Sequence, residues 1–137
     1  MRKAENFSSG LAVLKRADFT AAYENEFYRA GVIATFNITF ELAWKALQEV
    51  LRLEGVEQAV TGSPRDILKL GYRFGLIDDV AVWLLMLESR NMAIHIYNEA
   101  EADKLLLLIR DSFINAFTVL EKKLREKFNE YKSGDIS

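Results

Sequence analysis

Proline occurs once in this chain of 137 residues, at Pro64, and glycine only seven times. Half of the residues are hydrophobic. So little punctuation leaves long stretches with nothing to stop a helix and too few turn residues to close a series of β-hairpins. The sequence therefore predicts an all-α fold, an antiparallel up-and-down helical bundle of four long helices and one short one. A first helix is expected from about Lys3 to Tyr23, with Phe7, Leu11, Leu14 and Phe19 inward. A second runs from about Asn25 to Leu53 and stops at Gly55, a residue that accepts left-handed dihedrals. Its broad apolar face, including Val32, Phe36, Phe40, Ala43, Leu47 and Leu51, is the expected main wall of the core.

Ser63, Pro64 and Asp66 have the order of an N-cap, a first helical position and a first-turn acid, and they open a short third helix that ends near Gly75. Asp78 or Asp79 caps the fourth helix. The run Asn98-Glu-Ala-Glu101 resembles a capping box and opens a fifth, through Leu105, Ile109, Phe113, Phe117, Leu120 and Leu124 to about Phe128. The pattern shows one domain, 1–137, with 132–137 as a frayed tail. The fourth helix carries Val80, Trp83, Leu84 and Leu87 on one side and Ala81, Val82, Leu85, Met92 and Ala93 on the other. A helix apolar nearly all round is buried on every side, and in so small a bundle that predicts a homodimer with this helix near the twofold axis.

Composition removes several function classes. Without cysteine there is neither a disulfide framework nor a thiolate metal site. A net charge of -2 argues against bulk electrostatic binding of long nucleic acid. The start of the chain has no apolar leader core, and no apolar run approaches the roughly 18 residues of a membrane span, so a soluble, cytoplasmic protein is expected. Gly-rich phosphate loops, histidine pairs at metal spacing and Gly-x-Ser-x-Gly elbows are also missing from the sequence. No metal site is expected.

What remains is a polar group at the end of the fourth helix. Arg90 and Asn91 interrupt the apolar stripe, and His95, the one histidine of the chain, and Tyr97 follow. Arg90 and His95 point about 140° apart on an ideal helix, so either the helix ends between them or two copies converge across a dimer axis. Asn91 lies four residues before His95 and can orient its imidazole. An arginine fork suits a phosphate, and an imidazole moves protons near neutral pH; together they suit metal-free RNA cleavage with the ribose 2′-hydroxyl as nucleophile. The competing explanation is a satisfied polar network that tightens a helix end or fixes dimer register. A second polar strip, Asn37, Glu41, Lys45 and Gln48, lies beside Trp44 on the second helix. It reads either as an exposed face with one Glu41–Lys45 pair or as a groove for a base or ribose. The basic run Lys122-Lys123-Leu-Arg125-Glu-Lys127 reads as a solvated face.

The segment Arg90-Asn-Met-Ala-Ile-His95-Ile-Tyr97 matches the Arg-x4-His-x-Tyr signature of HEPN proteins. With Phe36-Asn-Ile-Thr-Phe-Glu-Leu-Ala-Trp-Lys45, Ser63-Pro-Arg65 and the approach Trp83-Leu-Leu-Met-Leu-Glu-Ser-Arg-Asn91, the chain resembles the small helical nucleotidyltransferase substrate-binding proteins of that superfamily. The resemblance implies a dimerising bundle that partners a separately encoded minimal nucleotidyltransferase, which supplies the catalytic carboxylates, ATP and magnesium. The chain itself would need no cofactor. It would be a non-catalytic substrate-binding subunit in a toxin–antitoxin-like pair, with a nucleotide or RNA as a further ligand; the groove reading of the strip makes Asn37, Glu41, Trp44 and Lys45 the candidate substrate- or partner-binding residues. Related HEPN proteins are toxins that cut RNA. By that likeness Arg90 and His95 become the alternative catalytic pair of a metal-independent ribonuclease, supported by Asn91, and Tyr97 becomes the side chain that the partner adenylylates to silence it.

Overall fold

A computed structural model describes the backbone of residues 2–93 and 98–136 and the side chains of 2–90 and 98–130. The described residues form helices α1 (Arg2–Lys15), α2 (Phe19–Glu24), α3 (Glu26–Leu53), α4 (Pro64–Arg73), α5 (Val80–Ala93), α6 (Glu99–Leu108) and α7 (Ile114–Ile136). A 3₁₀ turn, Glu57–Ala59, follows α3, and a π-helical turn, Ile109–Phe113, joins α6 to α7. The all-α bundle is as the sequence predicts. No described helix is long and apolar enough to cross a membrane.

Cross-helix contacts fix the directions. The space beside Gly10 is taken by Thr39 and Leu42, whereas Arg16 shares a groove with Tyr28, so α1 runs antiparallel to α3. Phe36 stacks on Phe113 with ring centroids 5.2 Å apart, and Glu54 meets Lys127 at 2.9 Å, so the α6–α7 run lies parallel to α3. The helix between them, α5, returns in the opposite sense, from Asp78 beside Lys123 to Arg90 beside Glu41. Aromatic rings hold the centre: Phe117 meets Phe7 edge-on at 5.8 Å and Trp83 at 5.5 Å, and Phe40 lies 6.3 Å from Trp83. Each buried ring removes a large apolar area from water, worth about 1.5–3 kcal/mol apiece.

Several boundaries depart from expectation, each for a local reason. The single helix expected over Lys3 to Tyr23 is two, because Asp18 adopts an extended conformation and its carboxylate accepts a hydrogen bond from the Ala21 amide at 3.1 Å, starting α2 afresh. Asn25 does the same for α3 through the Tyr28 amide, at 2.9 Å. Asp79 is the residue that caps α5, accepting from the Val82 amide, and Ser63 and Asp66 form the reciprocal capping box at α4. Gly55 takes φ 84° after α3, the left-handed closure anticipated for it. The backbone of α7 is helical as far as Ile136.

The fifth predicted helix carries the π turn. Its inward residues Leu105, Ile109, Phe113 and Phe117 are all four apart and all buried. On an α-helix such a series drifts about 40° per step. The widened turn takes up that drift and returns Phe113 and Phe117 to the side of Phe36. The expectation that α5 is apolar and enclosed on every side is met on one side only. Trp83, Met86 and Leu87 are buried, while Ala81 is exposed and Leu85 remains 38% exposed within the single chain.

Candidate functional site

The site is built where the last turn of α5 crosses the middle of α3. Glu41 is its hub. One of its carboxylate oxygens pairs with the Arg90 guanidinium, and the other accepts from the Trp44 indole N–H at 3.0 Å and faces the Lys45 ammonium at 3.9 Å. Phe40, the neighbouring residue on α3, lies beneath the guanidinium, 5.6 Å from ring centroid to Cζ, a distance at which a cation is attracted by the ring face. The Lys45 ammonium lies 6.0 Å from the Trp44 ring. These residues meet because Glu41, Trp44 and Lys45 are three and four apart and share one side of α3. That side is left open where α5 ends: Arg90, Glu41 and Lys45 side chains are 25%, 34% and 50% exposed.

Arg90, the one member of the first polar group whose side chain is described, therefore meets the second. Arg90 from the motif and Glu41, Trp44 and Lys45 from the strip converge. Asn37 lies one turn before Glu41 on the same ridge, and its Oδ1 is buried with no hydrogen-bond partner among the described residues. Gln48 separates from the group, because its side-chain amide donates to the Ala59 carbonyl at 2.8 Å and braces the 3₁₀ turn. Asn91 is placed in α5 by its backbone, but its side chain, like His95 and Tyr97 altogether, lies outside the described residues. Among the described residues no group of three or more histidine, aspartate or glutamate side chains is placed to hold a metal ion.

Arg29 is a component that the sequence reading passed over. Among the described residues it is the one charged side chain that is buried, on the first turns of α3, and it pairs at 3.5 Å with both Glu99 and Asp103 of α6. The signal was present: Arg29 precedes Ile33 by four on the apolar ridge of α3, and Glu99 and Asp103 are themselves four apart on a helix start. The basic run of α7 likewise does more than face solvent. Lys123 donates to the Gly75 carbonyl at 3.1 Å and pairs with Asp78. Glu54 holds the Lys127 ammonium and raises its pKa above the ordinary lysine value.

A part-exposed surface holding two cations, one carboxylate and an indole can bind a phosphate through its cations and a base by stacking. The model of the family described as "nucleotidyltransferase substrate binding protein like" matches residues 2–126. The "probable ribonuclease HepT" of Haemophilus influenzae is 32% identical over 104 residues, 74% of this chain and 70% of that protein. A crystal structure of a Thermus thermophilus protein superposes with a TM-score of 0.75 at 30% identity, covering 87% of this chain and 98% of the other. A Haemophilus influenzae structure, described as revealing the fold of a substrate binding domain of a nucleotidyltransferase, shares the fold with a TM-score of 0.78 at 24% identity, covering 89% and 98%. By the extent of the family match, this chain belongs to the nucleotidyltransferase substrate binding protein-like family.

Proposed function

We propose that this chain is the cytoplasmic, non-catalytic substrate-binding subunit of a separately encoded minimal nucleotidyltransferase, acting as a homodimer in a toxin–antitoxin-like pair. The observation that carries the reading is the convergence of Arg90, Trp44 and Lys45 on Glu41 on a part-exposed side of α3. Trp44 offers a stacking face, and Arg90 and Lys45 offer donors to phosphate. The partner would bring ATP, magnesium and the catalytic carboxylates. Leu85 on α5 and Leu107 on α6, 38% and 43% exposed, supply apolar surface for a second copy.

A second reading is favoured by the ribonuclease name of the Haemophilus influenzae relative. In it Arg90 holds a phosphodiester while His95 takes the proton of the ribose 2′-hydroxyl. The 2′-oxygen forms its bond to phosphorus, the 5′-oxygen leaves and takes up a proton from water, and a cyclic phosphate and a 5′-hydroxyl result. Silencing would follow when the Tyr97 oxygen attacks the α-phosphorus of ATP on the partner and pyrophosphate departs, leaving a bulky anion on the motif.

One experiment tests both. The purified chain is mixed with its nucleotidyltransferase partner, ATP and magnesium, and the products are weighed by mass spectrometry and sized. An unmodified dimer in stable complex with the partner, with complex formation lost in Trp44→Ala and Lys45→Ala, supports the subunit. Adenylate on Tyr97, together with RNA cleavage by the free chain that His95→Ala abolishes, supports the nuclease and overturns the first reading. Absence of both complex and modification overturns the two together.

A further inference from the structure

Two arginine contacts tie the motif-bearing connection to α3, one at each end. Arg90 precedes it and meets Glu41. Asn98 follows it as the N-cap of α6, accepting from the Glu101 amide at 2.8 Å, and the next residue, Glu99, meets Arg29. The anchor points Arg29 and Glu41 are twelve residues apart, about 18 Å along α3 and about 120° around it. Ile33 and Asn37 lie between them on the same ridge of residues four apart.

We propose that Arg29 is a positioning residue: it fixes the first turn of α6 against α3 and so sets the separation between Arg90 and Asn98, the two ends of the motif. Its functional weight rests on the surface at Arg90 being the binding site, as proposed above.

The energetics favour placement over stability as its role. The Arg29 side chain is 8% exposed, whereas Glu99 is 84% and Asp103 43% exposed. The arginine has lost its water for two partners that keep much of theirs, and replacing such an arrangement by apolar groups of similar volume is often neutral for stability. A methionine of similar length would fill the same space. What a methionine lacks is the fork. The two terminal nitrogens reach separate carboxylates, Nη2 to Glu99 and Nη1 to Asp103, on successive turns of α6. Two contacts one turn apart fix the rotation of α6 about its axis as well as its height on α3. Glu99 already suits the positive end of the α6 dipole without Arg29, so α6 would still form in its absence. Its first turn, no longer held against α3, would shift and open more often.

The test uses the full chain without ligand, as Arg29→Met, as Arg29→Lys and as the double variant Glu99→Gln/Asp103→Asn. Two readouts bear on α6 and the motif. One is exchange of the Ala102 amide, which bonds to the Asn98 carbonyl at 3.2 Å. The other is the titration midpoint of the one histidine in the chain, His95, followed by its single imidazole resonance. Arg29→Met and the double variant are expected to speed Ala102 exchange about tenfold and to move the His95 midpoint. Amides of buried α7 residues such as Leu120 keep their rates, and Arg29→Lys recovers part of the effect. An unchanged Ala102 rate and His95 midpoint in the double variant overturns the proposal, and so does an equal rise at Leu120, which would mark ordinary loss of stability. Should Arg29→Met fail to fold, the double variant decides, because its changes lie on the part-exposed side of α6. Neither readout requires nucleotide, so this outcome and that of the binding reading separate.

Discussion

Replacing Glu41 by alanine removes the one group that Arg90, Trp44 and Lys45 share, and the structure sets the size of the loss. Opposite charges about 4 Å apart attract by about 4 kcal/mol at an effective dielectric constant of 20. Arg90 and Glu41 are 25% and 34% exposed, so solvent screening and the ordering of two side chains reduce this to about 1–2 kcal/mol. The Trp44 indole N–H also loses its acceptor, adding about 0.5–1.5 kcal/mol. The more exposed Lys45, at 3.9 Å, adds little. Glu41→Ala is therefore expected to destabilise by about 1.5–3.5 kcal/mol, a fall in Tm of roughly 5–12 °C for a chain of this length. Glu41→Gln keeps an acceptor for Trp44 and is expected to cost about 1–2 kcal/mol. The assay is chemical denaturation at one fixed protein concentration, so that dimerisation does not enter the comparison. It is run on Glu41→Gln, Arg90→Met and the double variant. A coupling of at least about 1 kcal/mol is expected. Coupling indistinguishable from zero would refute the placement of Glu41 as the partner that holds Arg90.

Further expectations concern the frame around the site. A Cβ at Gly71 would lie 2.7 Å from Leu47 Cδ2 and 3.1 Å from Ile77 Cδ1. Both neighbours are buried, so Gly71→Ala should destabilise by about 1–2 kcal/mol, overpacking outweighing the gain in helix propensity; a Tm at or above that of the parent would contradict it. Lys127 has its pKa raised by Glu54, so the stability it contributes is fully present below the unfolded lysine pKa and is lost as pH rises through the folded one. Unfolding midpoints measured across the alkaline range should fall less steeply in Glu54→Gln than in the parent.

The sequence made the bundle legible because a helix declares itself through spacing alone. Phe36, Phe40, Ala43 and Leu47 lie where their periodicity puts them, all fully buried. Capping residues were equally readable where they pair locally, as Ser63 and Asp66 do. Asp18 has the same chemistry, yet it was absorbed into a longer apolar repeat, because Phe7, Leu11, Leu14 and Phe19 fit one helix as well as two. The π turn escaped for a related reason: residues four apart are compatible with an α-helix over one or two steps, and only three in succession, from Leu105 to Phe117, require a correction. At the site, Glu41 and Lys45 were readable as an i,i+4 pair and Arg90 as an intruder in an apolar stripe. That the two meet was not readable, since nothing in local spacing relates residues 41 and 90. Arg29 was missed because its partners lie 70 and 74 residues away.

The convergence of Arg90 and Lys45 on one carboxylate also limits what this surface can hold. Two cations against Glu41 leave a single net positive charge, suited to one phosphate group rather than to the several charges of a free triphosphate. An incoming phosphate must either share the guanidinium with Glu41 or displace it from the face that Glu41 occupies. In both cases Glu41 opposes binding, and Glu41→Gln, which keeps the hydrogen bond to Trp44, should strengthen it. A single-stranded RNA engaging only this net charge neutralises about one phosphate, so the logarithm of its affinity should fall with the logarithm of salt at a slope of about -0.7. Fluorescence titration of a short labelled RNA or of adenosine monophosphate, against the parent and Glu41→Gln at several salt concentrations, measures both quantities. Weaker binding in Glu41→Gln would assign Glu41 to the ligand, as an acceptor for a hydroxyl, rather than to Arg90 as its resident anion. A slope several times steeper would place the RNA on a basic surface other than this one.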